Sequence, residues 1–269
     1  MFYSTRAELT GHTSLIYESS TDEIVGVAGL LHDPSRTKFW TQTAAKPNKP
    51  FINAVVVETI RAASRIESTF ALLPVVNDLD SAQIAEWESH GFKKIQTSYV
   101  MKKSNPSKEF PQLPEGIAIR TLKTEEDWRS VHQIQNDAFE GHFGFAPRTF
   151  ENFKAFRLDS STYDPEGIHI LSVNGVDVGF VEVTDEIAHI SQGFINVIGV
   201  KHSHHKQGLG KLLLLWGFAY SARKGMDGVE LYVDIANKTG ALTFYESAGM
   251  VAQSALSTYE NPDWASLDL

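Results

Sequence analysis

The sequence predicts a mixed α/β protein built from two related halves, and three observations carry that expectation. Apolar strand patterns alternate with helical ones along the whole chain. Two segments rhyme, AEWESHGF at 85–92 and TFYESAGM at 243–250, each after an apolar strand, an Asn and a small residue that opens a helix. Between the halves, MKKSNPSKEFPQLPEG (Met101 to Gly116) holds three prolines, two serines and alternating charges, and reads as a linker. The expected organisation is therefore a first domain over 1–101, a linker over 102–116 and a second domain over 117–269.

Taken in order, TSLIYES and EIVGVAGLL read as a strand pair, FINAVVVETIRAASR as a helix and TFALLPVV as a strand. DSAQIAEWESHGF is a helix that stops at Gly91, and KIQTSYVM is a strand. After the linker, GIAIRTL is a strand and EEDWRSVHQIQNDAFEGHF a helix that ends at its glycines. GIHILSV and VDVGFVEVT flank Asn174-Gly175, a hairpin signal because both turn positions need positive φ. The apolar strand GFINVIGV leads through a His- and Gly-containing turn into the helix GLGKLLLLWGFAYSARKG, which Gly225 ends. VELYVDI is a strand, GALTFYESAG a helix and VAQSALSTYE a final strand.

Composition excludes several classes. Apolar residues make up 42% and charged residues 21%, an ordered globular balance. The absence of cysteine removes disulfide scaffolds, thiolate metal sites and cysteine nucleophiles. The N-terminal MFYSTRAELT lacks a basic-then-apolar leader. The most apolar run, Leu212 to Tyr220, is far short of the ~20 residues that span a bilayer. The expectation is a soluble cytoplasmic protein, a monomer or homodimer that works without a membrane. Residues 1–110 hold 12 Lys+Arg against 12 Asp+Glu, and residues 111–269 hold 12 against 21, so the whole net charge of −9 falls in the second half. Such a balance disfavours nucleic acid and suits a cationic small molecule or peptide amine.

The most informative segment is INVIGVKHSHHKQGLGKLLLL (195–215). A strand enters a turn carrying His205, Lys206, Gln207, Gly208, Leu209, Gly210 and Lys211, and a helix follows at once. Glycines let backbone approach a ligand closely, and a helix N-terminus offers N–H groups and partial positive charge, so the turn reads as an anion cradle. A phosphate loop of the Walker type needs Gly at 205 and Ser or Thr at 212, where the chain has His and Leu. A dinucleotide fingerprint needs Gly at 213, where the chain has Leu. A different phosphate-bearing cofactor is implied.

The order strand, Gly-rich turn, helix, strand, Asn, Tyr-bearing helix resembles the GNAT superfamily of N-acetyltransferases, and the resemblance covers about residues 115–260. It implies a tandem GNAT fold and acetyl-CoA as cosubstrate, with no metal. The family's Gln/Arg-x-x-Gly-x-Gly/Ala loop falls on His205, Gly208 and Gly210, so the first position departs. The strand end Ile198, Gly199 and Val200 is implied to offer a backbone N–H to the thioester carbonyl. Asn237 is implied beside the pantetheine arm, with Ala241 and Tyr245 on the helix that follows. Residues 136–150, NDAFEGHFGFAPRTF, are similar to the acceptor side of the tandem group that includes mycothiol synthase, through Ala138-Phe139 and His142.

The first half resembles a shortened, degenerate copy. No glycine lies between Gly29 and Gly91, the loop position reads TAAKPNKP, and Trp87 stands where the second half has Tyr245. The expectation is that residues 1–101 bind no acetyl-CoA.

The resemblance implies direct attack of a primary amine of a small molecule or peptide on the thioester, with both substrates bound. Tyr245 is the candidate acid for the leaving thiolate. Asn196 stands where the family often has a basic Glu, so Glu182, which interrupts the apolar strand GFVEVT, is the candidate base. His189 and a water relay are the alternatives. A non-catalytic CoA or acyl-CoA sensor or scaffold is the rival reading. The cluster His202, His204 and His205 lacks a fourth ligand and is read as structural or phosphate-facing.

Overall fold

The computed structural model describes residues 13–33, 37–141, 145–236 and 240–269. The chain forms two compact units, and the cut between them is not confined to the linker. Residues 1–99, 234–236 and 254–269 make unit 1, while 100–233 and 237–253 make unit 2. The chain therefore leaves the first unit and returns to it with its last strand.

In unit 1, β1 (Thr13–Glu18), β2 (Glu23–Asp33) and β3 (Lys38–Ala45) form an antiparallel meander. The helix α1 (Lys49–Ile66) crosses over to β4 (Ala71–Asn77), which pairs with β3 in parallel. Its apolar positions Ile52, Val55, Val56 and Ile60 recur at helical spacing and are buried. A shorter helix, α2 (Ser81–Ser89), is capped at its start by Asp80, whose side chain accepts from the Gln83 N–H. Trp87, its buried aromatic, packs edge-on against Phe92 at 4.9 Å between centroids. β5 (Lys93–Ser104) begins in this unit and ends in the other.

In unit 2, β6 (Ile117–Thr121), β7 (Ile168–Val173), β8 (Val176–Thr184) and β9 (Gln192–Val200) form a second antiparallel meander. Asn174 and Gly175 both take positive φ, 48° and 82°, as the hairpin signal requires. α3 (Glu125–Ala138) carries a full capping box between Thr124 and Asp127. α4 (Phe150–Leu158), capped by Thr149, is an element the sequence pattern does not assign. The long α5 (Leu209–Arg223) crosses over to β10 (Gly228–Asp234), which pairs with β9 in parallel. α6 (Ala241–Ser247) and β11 (Val251–Glu260) follow, and the end of β11 pairs with β4 inside unit 1.

Both units thus repeat one path: a meander, a parallel crossover through a long helix, then a short helix (β3–α1–β4–α2 and β9–α5–β10–α6). This is the mixed α/β architecture expected from the alternation and the rhyme. In unit 2 the sheet is covered on two sides. Phe180 and Ile168 pack with Trp128, Val131, Ile134 and Phe153 from α3 and α4. On the opposite face Gly217 of α5 sits so close that a Cβ there would lie 3.2 to 3.5 Å from Ile195, Val181 and Val183. Leu213, Leu214 and Phe218 beside it are buried, at roughly 2 kcal/mol each of apolar burial. α5 is further tied by Tyr220 and Lys224, which donate to Asp164 at 2.5 and 2.7 Å. Burial beside Trp216 and Tyr220 lowers the His169 imidazole to about 4, so it packs there neutral. Among the described residues no helix is long and apolar enough to cross a membrane.

Candidate active site

Two local features open the centre of the unit 2 sheet. β9 and β10 pair only from Gly228↔Gln192 to Glu230↔Phe194, although β9 continues to Val200 and β10 to Asp234. Beyond Phe194 the strands part, and the β9 edge leading to Ile198, Gly199 and Val200 has no ladder on that side among the described residues. The second feature is a bulge: Val197 faces Glu182 and Ile195 faces Val183, which leaves Asn196 as the extra residue. Bulges bend and re-aim a strand, and this one falls at the head of the split.

The turn after β9 delivers backbone donors. Lys206 and Gly208 both take left-handed φ, 61° and 77°, and Gly208 is the N-cap of α5 with no side-chain cap. A cap would use up first-turn N–H groups. Without one, the N–H groups of residues 206–210 make no hydrogen bond among the described residues. A Cβ on Gly208 would meet nothing within 4 Å, so the turn opens outward. Lys206, Gln207 and Gly208 are exposed, as is Lys211, whose own N–H returns to the Gly208 carbonyl. Leu209 is buried and anchors the turn from below.

The equivalent turn in unit 1 is closed. Pro47 and Pro50 have no N–H, and those of Lys46, Asn48 and Phe51 bond to Val25, Lys46 and Asn48 carbonyls. Of residues 46–51, Lys49 alone keeps an uncommitted N–H among the described residues.

α6 stands beside the open turn. A Cβ on Gly210 would lie 3.6 Å from Cζ of Phe244, and the Phe244 and Tyr245 rings lie 5.1 Å apart. Ala241 begins this helix behind Gly240, which takes φ of 77°. Tyr245 is 9% exposed, and burial pushes its phenol up to about 12. Its hydroxyl has no hydrogen-bond partner among the described residues. The structure therefore brings Gly208, Gly210 and Tyr245 into one neighbourhood. Asn237 lies outside the described residues, as does His142.

The imidazoles face three different partners. His205 Nε2 donates to the Val200 carbonyl at 2.8 Å, so that side chain folds back on β9 and not over the cradle. His202 bonds Asp137, and His204 bonds Ser203 at 2.9 Å. No group of three His, Asp or Glu side chains suited to a metal ion occurs among the described residues. Asp234 accepts from the Ala236 N–H at 2.8 Å and closes its own strand end. His189 sits exposed on the short turn Ala188–Ile190.

Glu182 is buried at 2% exposure on the face of β8 that α3 and α4 cover, and it is fully engaged. Arg157 of α4 donates from Nε to both carboxylate oxygens at 3.0 and 3.1 Å and from Nη2 at 2.9 Å. Nη2 also donates to Gln135 Oε1 at 2.7 Å, and the guanidinium lies 4.0 Å over the Phe153 ring. A carboxylate expected as a base thus stands as one half of a buried ion pair. Arg157 and Gln135 were not singled out from the sequence. The available signal was Glu182 itself, since a buried acid in an apolar strand requires a partner.

Residues 128–250 match the model of the acetyltransferase (GNAT) family. A mycothiol acetyltransferase from Thermobispora bispora is 36% identical over 143 residues, covering 52% of this chain and 48% of that protein. Another from Thermomonospora curvata is 28% identical over 176 residues, covering 65% and 58%. The chain spans about half the length of the curated relatives it matches. Among solved structures, a GCN5-related N-acetyltransferase from Sphaerobacter thermophilus superposes with a TM-score of 0.75 at 22% identity, covering 93% of this chain and 80% of that one. A tandem GNAT protein from the clavulanic acid biosynthesis pathway superposes with a TM-score of 0.70 at 14% identity, covering 93% and 83%. These likenesses carry the fold.

Proposed function

We propose, starting from the match of residues 128–250 to the acetyltransferase (GNAT) family, that this protein transfers acetyl from acetyl-CoA to a primary amine of a small molecule or peptide. The observation that carries the reading is the uncapped start of α5, where five consecutive backbone N–H groups make no hydrogen bond among the described residues, beside the split of β9 from β10. An anion held there lies on the positive end of a helix dipole. A diphosphate in the cradle directs the pantetheine arm along the open edge of β9, toward Val200, Gly199 and Ile198. A backbone N–H on that edge stabilises the thioester oxygen as it gains charge, and the amine attacks within the ternary complex.

Tyr245 serves the departing sulfur. A phenol at about 12 stays protonated at neutral pH, well above an ordinary thiol near ~8.5. It therefore stabilises the thiolate by donating a hydrogen bond. Glu182 is committed to Arg157, so in this reading its role is to hold α4 on the sheet, and water accepts the amine proton. Residues 1–101 bind no acetyl-CoA in this reading, because among the described residues their turn has one uncommitted N–H where the second copy has five.

The test is release of free thiol from acetyl-CoA across a panel of amines, headed by the amine acceptor of mycothiol synthesis in view of the relatives' name. Amine-dependent thiol release is expected. If CoA binds at micromolar concentration and no amine releases thiol, the protein is a CoA-binding module and the transferase reading fails.

A further inference from the structure

We propose that Asp137 is a positioning residue of the cofactor turn, which it holds through the backbone N–H and the imidazole of His202; this rests on the acetyl-CoA reading above. Asp137 lies in the last turn of α3, the helix that packs with α4 on one face of the unit 2 sheet. Its Oδ1 accepts from the His202 N–H at 2.7 Å and stands 3.1 Å from Nδ1, which carries the proton of that bond. The His202 ring lies against the His205 ring, with centroids 4.9 Å apart and planes 36° from parallel. His205 in turn donates to the Val200 carbonyl at 2.8 Å. The links form one chain from α3, through the turn, to the exit of β9.

A second contact fixes the same end of the helix. Gly199 lies so near α3 that a Cβ there would stand 3.1 Å from both Ala138 Cβ and Phe139 Cε2. Asp137 and Gly199 together dock the final turn of α3 where β9 gives way to the cradle.

The cradle needs such support. Lys206 holds a left-handed φ of 61° without being glycine, and a strained residue persists only where its surroundings hold it. Uncommitted N–H groups also hold an anion well only if their arrangement is set beforehand. Among the described residues Asp137 makes no hydrogen bond or ion pair to residues 206–210, so its influence runs through His202. Burial alone would raise its carboxyl, yet the N–H and ring of His202 bring it below the usual carboxylate range, as befits an engaged anion.

Titration calorimetry with CoA, together with thermal melting, on wild type, Asp137→Ala and Asp137→Asn tests the inference. Asp137→Ala is expected to weaken CoA about tenfold with melting unchanged within ~3 °C. Asp137→Asn retains an oxygen that accepts from the His202 N–H and is expected to stay within about threefold of wild type. Unchanged CoA affinity in the alanine variant overturns the proposal, as does an asparagine variant as weak as alanine. A larger fall in melting temperature without selective loss of CoA assigns a purely structural role and overturns it too. Wild-type protein that binds no CoA is a different failure, that of the acetyl-CoA reading itself.

Discussion

Arg157→Ala is expected to lower the melting temperature of the protein by about 10 °C. The variant leaves the Glu182 carboxyl, 2% exposed in the wild type, without the guanidinium that now occupies both of its oxygens. Removing one partner of a buried pair costs on the order of 3–5 kcal/mol, and chains of this size shift by about 2–4 °C per kcal/mol. The loss also frees the Gln135 amide and removes the cation from the face of Phe153. The control is the double variant Arg157→Met with Glu182→Leu. It replaces the pair by apolar side chains of similar volume, and a buried pair so replaced is often neutral or better. The double variant is therefore expected to melt within a few degrees of wild type. Thermal unfolding followed by circular dichroism reads both. An Arg157→Ala variant as stable as wild type contradicts the buried pair, and a Glu182→Gln variant that folds normally but loses all turnover restores Glu182 as the base.

Tyr245→Phe is expected to slow turnover about 10²-fold while CoA affinity stays within about twofold. The substitution keeps the ring that packs against Phe244 and removes the hydroxyl, which has no partner among the described residues. Among the described residues no hydrogen bond is broken, so folding is expected to be unaffected. The hydroxyl acts only as charge develops on sulfur, so its removal affects the barrier and leaves ground-state binding alone. Losses of 10²–10³-fold are typical for one donor aimed at developing charge. Steady-state kinetics with calorimetry in parallel separates the two quantities. Equal turnover in the variant removes Tyr245 from the chemistry, and a parallel loss of CoA affinity makes it a binding residue.

What the sequence allowed to be read follows from the range of the interactions involved. The open turn was legible because its cause is local: Gly208 takes positive φ, and a strand leading at once into a helix leaves the first-turn N–H groups open. The closed counterpart in unit 1 was legible for the same reason, through Pro47 and Pro50. The hairpin at Asn174-Gly175 and the helix stop at Gly225 belong to this class. Features set by distant partners were not legible. The bulge at Asn196 exists only against β8, so no spacing along β9 announces it. Arg157 lies 25 residues from Glu182 on a nine-residue helix that the pattern did not assign. The return of residues 254–269 to unit 1 depends on Leu256, Ser257 and Thr258 pairing with Asn77, Val76 and Val75, a contact across most of the chain. A strand can be read from its residues, but its neighbour is chosen by packing.

A crystal structure of the protein with CoA bears most directly on the claim that the uncapped start of α5 grips a diphosphate. The account predicts diphosphate oxygens within about 3 Å of several backbone nitrogens of residues 206–210, with the sulfur beside the Tyr245 hydroxyl. Diphosphate density at the Lys46–Phe51 turn, or anywhere else with the 206–210 amides left unused, would contradict it.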